Sequence, residues 1–383
     1  MALYIVVLLT VLTHTSYKAS KVLISLYALE LGASPALVGV LFATYSVFPV
    51  FLAIYAGKLA DRYGSRRLIL FGACGLVCGL LIPFAWPALA GLFASAILIG
   101  LCYIFYTVAV QNLIGSIGEG SERTRNYSIF SMGVGVTALL GPMTAGFSID
   151  LIGHRYAYLL VGLLPLVPIL GIVLLPHLLP AGRSKHRAKP EHRISDLLRN
   201  VPLRRVLITA GIVETGLELF NFFLPIYARS LGMSASLIGI IMGFYATALL
   251  LVRTVMPRLA RRSSEEYVLS RSLYLAAATC VAFPFASTFV ELAVISFVLG
   301  LGLGCGGPLS LVLAYNRSPP GRSGEAIGVR QTVNKITEMT MPIVFGVVGT
   351  ALGMGPVFLT NGLLLAAGAW IMRGDVRARR VNS

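Results

Sequence analysis

Tyr27-Ala28-Leu29-Glu30-Leu31-Gly32-Ala33-Ser34-Pro35-Ala36-Leu37-Val38-Gly39 is nearly the same text as Tyr227-Ala228-Arg229-Ser230-Leu231-Gly232-Met233-Ser234-Ala235-Ser236-Leu237-Ile238-Gly239. The offset of 200 persists far outside that window. Tyr45 aligns with Tyr245, Pro142 with Pro342, Gly146 with Gly346, Gly153 with Gly353 and Tyr158 with Phe358. A constant offset across half a chain marks an internal duplication, so the fold should be two similar halves.

The solvent for those halves follows from composition. The 383 residues are 57% hydrophobic and 12% charged, with a mean hydropathy of +0.84. Soluble domains carry roughly 25% charged residues, and a single globular core does not need this much apolar sequence. A bilayer accommodates it. Apolar runs of spanning length fall at 3–29, 35–58, 67–86, 88–115, 126–150, 156–176, 204–229, 235–257, 269–289, 291–315, 325–349 and 355–372, six in each half. The first run is too long for a signal-peptide core and lacks a basic start and a small-residue cleavage site, so it reads as a retained span.

The net charge of +16 is explained by topology. Twenty-four of the 31 lysines and arginines fall in loops on one side; the other side holds Arg155 and Arg229. That asymmetry is a positive-inside signal, and it places both termini and the central loop in the cytoplasm. Nucleic acid is not needed to account for the charge. The five cysteines, Cys74, Cys78, Cys102, Cys280 and Cys305, all sit in apolar runs and read as small buried packing residues. No metal cluster or cofactor motif is present.

Four segments result: a six-helix bundle at 1–176, a cytoplasmic linker at 177–203, a second six-helix bundle at 204–373 and a cytoplasmic tail at 374–383. Within the central loop, Ile194, Leu197, Leu198 and Val201 recur at helical spacing among Asp196, Arg199 and Arg204. That pattern predicts a short amphipathic helix over 194–207 at the cytoplasmic membrane surface.

Between spans 2 and 3 stands Gly57-Lys58-Leu59-Ala60-Asp61-Arg62-Tyr63-Gly64-Ser65-Arg66-Arg67. It resembles the G-x-x-x-D-R-x-G-x-R-R signature of the major facilitator superfamily, at the family's own position. The resemblance implies an all-α membrane protein with twelve transmembrane helices in two six-helix bundles related by a pseudo-two-fold axis. It also implies a cytoplasmic gate built from Gly57, Asp61, Arg62, Gly64, Arg66 and Arg67. Asp61 would meet the N-terminus of span 11 near Gly324, and the arginines would pair with Glu119 or Glu122. The second half departs from this pattern, with Pro257 and Arg261 at the positions of Gly57 and Asp61, so the gate should be asymmetric. In span 5, Gly133, Gly135, Gly141-Pro142 and Gly146 resemble the family's G-P-x-x-x-G motif of proton-coupled exporters, with Gly141, Pro142 and Gly146 serving helix packing. The span-4 arginine of many drug exporters is missing, since the stretch reads Leu101-Cys102-Tyr103-Ile104-Phe105-Tyr106.

Charges inside spans mark the candidate site. A charge at mid-membrane costs about 2.5–3.5 kcal/mol on insertion scales, so each such residue needs a reason. Span 1 carries His14, Lys18 and Lys21 on one helix face, and span 7 carries Glu214, Glu218 and Asn221 at the same spacings. The duplication aligns the two sets. At 1.5 Å per residue, Lys18 and Glu218 lie about 20 Å from the cytoplasmic helix ends, just beyond the middle of the core. Span 11 adds Arg330, Gln331, Asn334, Lys335 and Glu338; Tyr45, Tyr245, Tyr103 and Tyr106 offer aromatic walls with polar tips. His14 reads as a hydrogen-bonded packing residue, and Asp150 as a loop or cap residue.

Such a set suits a proton-coupled secondary transporter that moves a small anionic or zwitterionic organic solute by alternating access. A carboxylate takes up the proton and a lysine or arginine holds the anionic group. The competing structural reading is that Lys18–Glu218 and Lys335–Glu338 are neutralising pairs that position helices. The span-5 motif points to efflux, while the cations suit uptake of an organic anion. A non-transporting sensor on the same fold is the remaining alternative. An enzyme is disfavoured, because H-E-x-x-H and G-x-S-x-G are absent and the five histidines are scattered. The expected partners are the solute, protons and lipid, with the chain acting as a monomer in the plasma (bacterial inner) membrane.

Overall fold

The computed structural model describes residues 2–116, 120–174, 194–319 and 323–382. The described residues form helices α1 (Ala2–Glu30), α2 (Pro35–Tyr63), α3 (Ser65–Ala85), α4 (Leu89–Ser116), α5 (Gly120–Leu163), α6 (Leu166–Leu174) and α7 (Ile194–Arg199). They continue with α8 (Val201–Ser230), α9 (Ala235–Arg262), α10 (Glu265–Ala282), α11 (Phe289–Gly304), α12 (Gly306–Asn316), α13 (Ser323–Leu352) and α14 (Met354–Asn382).

Among the described residues, ten stretches are long and apolar enough to cross a membrane. One of them, Ile129–Leu174, contains two spans, because Gly153 at φ 75° breaks α5 where the sequence places the span 5–6 loop. The 29-residue α1, which carries Lys18 and the buried Lys21, is one more helix of spanning length. The helices therefore accord with the twelve expected spans. Span 10 is made of two pieces, α11 and α12, which meet at Cys305.

The repeated stretch folds the same way in both copies. Gly32 (φ 82°) and Gly232 (φ 80°) end α1 and α8 in the left-handed conformation that glycine adopts without strain. In each copy the next amide reaches back five residues, Ala33 N–H to Ala28 O at 2.9 Å and Met233 N–H to Ala228 O at 3.1 Å. These bonds satisfy carbonyls that the helix end would leave open. Ser34 then caps α2 through Leu37 N–H, and Ser234 does the same for α9 through Leu237 N–H, both at 3.4 Å.

By its contacts the chain forms two compact units: Met1–Arg187 with Ala228–Gly243, and Ala188–Tyr227 with Phe244–Ser383. In the first, α1 runs along α5 while α4 packs on α2 and α3. In the second, α10 packs on α11 and α14, and α12 packs on α13. Lipid supplies no hydrophobic drive between helices, so close backbone approach must hold them. A Cβ added at Gly100 would lie 2.6 Å from Tyr45 O; one added at Gly300 would lie 2.5 Å from Tyr245 O. Both members of each contact are related by the offset of 200, so the duplication extends to packing. Outward faces are apolar, with Phe51, Met132, Leu363 and Trp370 exposed, as a lipid-facing surface requires.

Two expectations need correction. Cys102, Cys280 and Cys305 are buried, but Cys74 and Cys78 are exposed; thiols are small and apolar enough to face lipid. The amphipathic segment is shorter than expected: α7 stops at Arg199. Asn200 then caps α8, accepting from Leu203 N–H at 3.2 Å, and Leu197 is fully buried. Leu198 and Val201, by contrast, are exposed.

Candidate functional site

On α1 the spacing of His14, Tyr17, Lys18 and Lys21 directs these side chains into the first unit, where α2, α4 and α5 meet them with aromatic rings. Tyr17 stacks on Tyr103 with ring centres 3.5 Å apart, and Tyr103 lies parallel to Tyr106 at 6.2 Å. His14 sits 5.3 Å from Tyr103, 5.8 Å from Tyr106 and 6.4 Å from Phe130. The Lys21 ammonium lies 5.4 Å from the Phe42 ring centre and 5.8 Å from that of Tyr17. A cation held over ring faces is stabilised by their negative quadrupoles, an effect that grows as water is removed.

The structure thus brings Lys21, Tyr45, Tyr103 and Tyr106 of the expected set into one cluster, with Lys18 half-buried on the same helix. It adds Tyr17, Phe42 and Phe130, which sequence reasoning missed. Tyr17 was legible, since it follows His14 by one helical turn. His14 differs from expectation: its Nδ1 is buried and has no hydrogen-bond partner among the described residues.

The second unit gathers acids. Asn334 on α13 donates its Nδ2 amide to Glu214 Oε2 on α8 at 2.9 Å. Glu214 lies within electrostatic range of Glu218, Glu338, Lys335 and Arg330. Lys335 pairs with Glu338 one turn along α13. Arg330 is buried, donating Nε to Ser310 Oγ at 3.1 Å and Nη2 to the Gly307 carbonyl at 3.1 Å. Ser310 on α12 was not foreseen; nothing in its local sequence separates it from a packing serine. Glu218 is buried and Asn221 half-buried, but Gln331 is exposed, off the strip formed by Arg330, Asn334 and Glu338. A residue one position beyond Arg330 is rotated 100° from it.

The matched tyrosines behave differently. Tyr45 Oη donates to Ser20 Oγ at 3.2 Å. Tyr245 stacks on Phe220 with ring centres 3.9 Å apart, and its hydroxyl is buried without a partner among the described residues. Ser20 and Phe220 are themselves aligned by the repeat, so one substitution exchanged a hydroxyl partner for a ring.

Between α2 and α3, Gly64 (φ 83°) terminates α2 with its N–H on Ala60 O at 3.0 Å. The side chains of Asp61, Arg62, Glu119 and Glu122, and the surroundings of Gly57, lie outside the described residues. Arg66 donates its Nη2 to Ile172 O on α6 at 2.9 Å; its expected pairing with Glu119 or Glu122 falls on acids outside the described residues. Arg67 is exposed. The second unit has an ion pair that sequence reasoning missed. Arg317 Nη2 meets Glu266 Oε1 at 2.8 Å with both buried, and Arg317 Nη1 reaches Pro202 O at 3.2 Å. The signal was present, since Glu266 aligns with Arg66 with the sign reversed.

The span-5 glycines serve two different helices. A Cβ at Gly141 would lie 2.5 Å from Lys18 Cβ on α1, whereas one at Gly146 would lie 2.3 Å from Ala235 O on α9. Pro142 O in turn would be 2.6 Å from a Cβ at Gly239. Among the described residues, no group of three or more His, Cys, Asp or Glu is arranged to hold a metal ion.

Comparison with known proteins bears on this arrangement. The family model described as Major Facilitator Superfamily matches residues 6–266 and 206–383. The chain is 23% identical over 365 residues to Multidrug resistance protein MdtG of Escherichia coli O9:H4 (strain HS), covering 90% of this chain and 85% of that protein. It is 25% identical over 339 residues to Multidrug resistance protein MdtG of Klebsiella pneumoniae (strain 342), covering 85% and 81%. Among solved structures, the nucleoside transporter NupG superposes with a TM-score of 0.82 at 15% identity, covering 97% of this chain and 98% of NupG. A POT family transporter in complex with 5-aminolevulinic acid gives 0.79 at 15% identity, covering 97% and 95%. At these identities the structures bear on the fold alone.

Proposed function

The chain belongs to the major facilitator superfamily, a family of membrane transporters, and from that premise we propose that it is a proton-coupled secondary active transporter of a small organic solute, working by alternating access. The observation that carries the proton role is Glu214. It is a carboxylate on a membrane-spanning helix whose hydrogen-bond partner is the neutral amide of Asn334, whereas Glu338 has Lys335. Burial disfavours the ionised form of a carboxylate and a nearby cation favours it. Glu214, within range of Arg330 and Lys335, is subject to both influences. A solute anion that engages those cations would weaken their hold and favour protonation. Glu218, one turn away, is the second candidate carrier.

Arg330, Lys335, Lys18 and Lys21 are the groups suited to an anionic moiety, and the tyrosines to an apolar or ring-bearing body. Export is the direction favoured by the span-5 motif and by relatives named as multidrug resistance proteins. The reading extends to a monomer in the plasma (bacterial inner) membrane with both termini in the cytoplasm, consistent with the positive-inside asymmetry.

The test is pH-gradient-driven flux in proteoliposomes, with solutes first selected by thermal shift of the purified protein. Glu214→Gln is expected to abolish coupled flux while leaving solute-induced stabilisation. Undiminished coupled flux in both Glu214→Gln and Glu218→Gln would remove the proton role.

A further inference from the structure

Beyond the acids and aromatics, one contact joins helices from the two halves of the sequence. Both oxygens of Asp150, at the end of span 5, take backbone amides from the first turn of α9: Oδ1 from Ala235 N–H at 3.1 Å and Oδ2 from Ser236 N–H at 2.7 Å. Directly beneath, Gly146 sits on Ala235 O and Gly239 on Pro142 O, so the two backbones touch without intervening side chains.

We propose that Asp150 and this glycine seam form a releasable clasp at the non-cytoplasmic end of the transporter, which parts when that end opens; the idea rests on the alternating-access reading above. Three features make it releasable. First, α9 does not need Asp150 to be capped, because Ser234 already accepts from Leu237 N–H. Asp150 takes the two amides before it together with the hydroxyls of Ser234 and Ser236, all at the exposed end of the helix, where water replaces the carboxylate when the helices separate. Second, Asp150 is itself exposed, so its charge returns to solvent at little loss. Third, the seam below is made of backbone on glycine at Gly146 and Gly239, and further along at Gly243 the Leu139 and Met143 side chains of α5 meet a residue with no side chain to interlock with. The carboxylate faces the positive end of the α9 dipole, which favours the closed arrangement.

Spin labels carried on unnatural amino acids at positions 151 and 231, with the five cysteines left in place, report the separation of these helix ends by double electron–electron resonance. Leu151 and Leu231 are exposed, so labels there perturb little. Asp150→Ala should raise the ratio of long to short distances about tenfold, as loss of charge-assisted bonds to one state predicts, and Asp150→Asn should fall between it and the parent. Ser234→Ala, which removes the helix's own cap and one of the hydroxyls on Asp150, should shift the distribution much less than Asp150→Ala. A parental distribution in Asp150→Ala overturns the clasp, and so does an equal shift in Ser234→Ala, which would reveal fraying of α9. The measurement needs neither solute nor gradient. Shifted distances without coupled flux would uphold the clasp and defeat the transport reading.

Discussion

Asn334 ties α13 to α8 through a single amide donated to Glu214 at 2.9 Å, while the other face of that amide, Oδ1, is buried without a partner among the described residues. The side chain is therefore held from one end only. A hydrogen bond to a carboxylate contributes about 1.5–3 kcal/mol. Asn334→Ala should reduce coupled flux about tenfold or more in proteoliposomes, and thermal unfolding should show a loss of about 1.5–3 kcal/mol. Asn334→Asp sets a second carboxylate against Glu214 and should be worse than the alanine variant.

The tyrosines related by the repeat give a paired prediction. Tyr45→Phe removes a bond to Ser20 and should destabilise by about 0.5–1.5 kcal/mol, whereas Tyr245→Phe deletes a buried hydroxyl with no partner and should be neutral or stabilising. Thermal unfolding in detergent distinguishes the two, and equal losses would contradict the assignment.

Close packing at glycine is testable in the same assay. Gly300→Ala places a methyl 2.5 Å from Tyr245 O and 2.8 Å from Ala248 Cβ, and should cost about 1–3 kcal/mol. Gly307→Ala meets nothing within 4 Å and should leave stability unchanged within about 0.5 kcal/mol.

Arg317→Ala removes the guanidinium paired with Glu266, which is fully buried, and should cost about 3–5 kcal/mol. Replacing both partners, as Arg317→Met with Glu266→Leu, should recover most of that loss. If the double variant is no more stable than Arg317→Ala, the pair is not the source of the effect.

Much of the fold was legible because its signals are local or repeated. The Gly32 and Gly232 caps, the Ser34 and Ser234 helix starts and the break at Gly153 all depend on residues within one turn of each other. Lipid turns apolar length directly into spans. The positions of charges within spans were legible too, because only a costly residue stands out against an apolar background.

Partner choice was not legible. Whether Tyr45 finds Ser20 and Tyr245 finds Phe220 depends on which helix crosses α2 and α9, and at what height. Arg66 reaches a carbonyl of α6, more than a hundred positions away, that no local pattern singles out. Gln331 fell off the polar strip through rotation by a single residue. Asp150 looked like a cap in the sequence, but the helix it caps lies 85 positions away.

The chain's own text determined two copies of a membrane-spanning unit, their helix boundaries and the residues that resist burial in lipid, since these follow from backbone conformation and transfer free energy at each position. Only the tertiary structure decided which donor meets which acceptor. That depends on distances of a few ångströms between helices far apart in the chain, and periodicity carries no information about them.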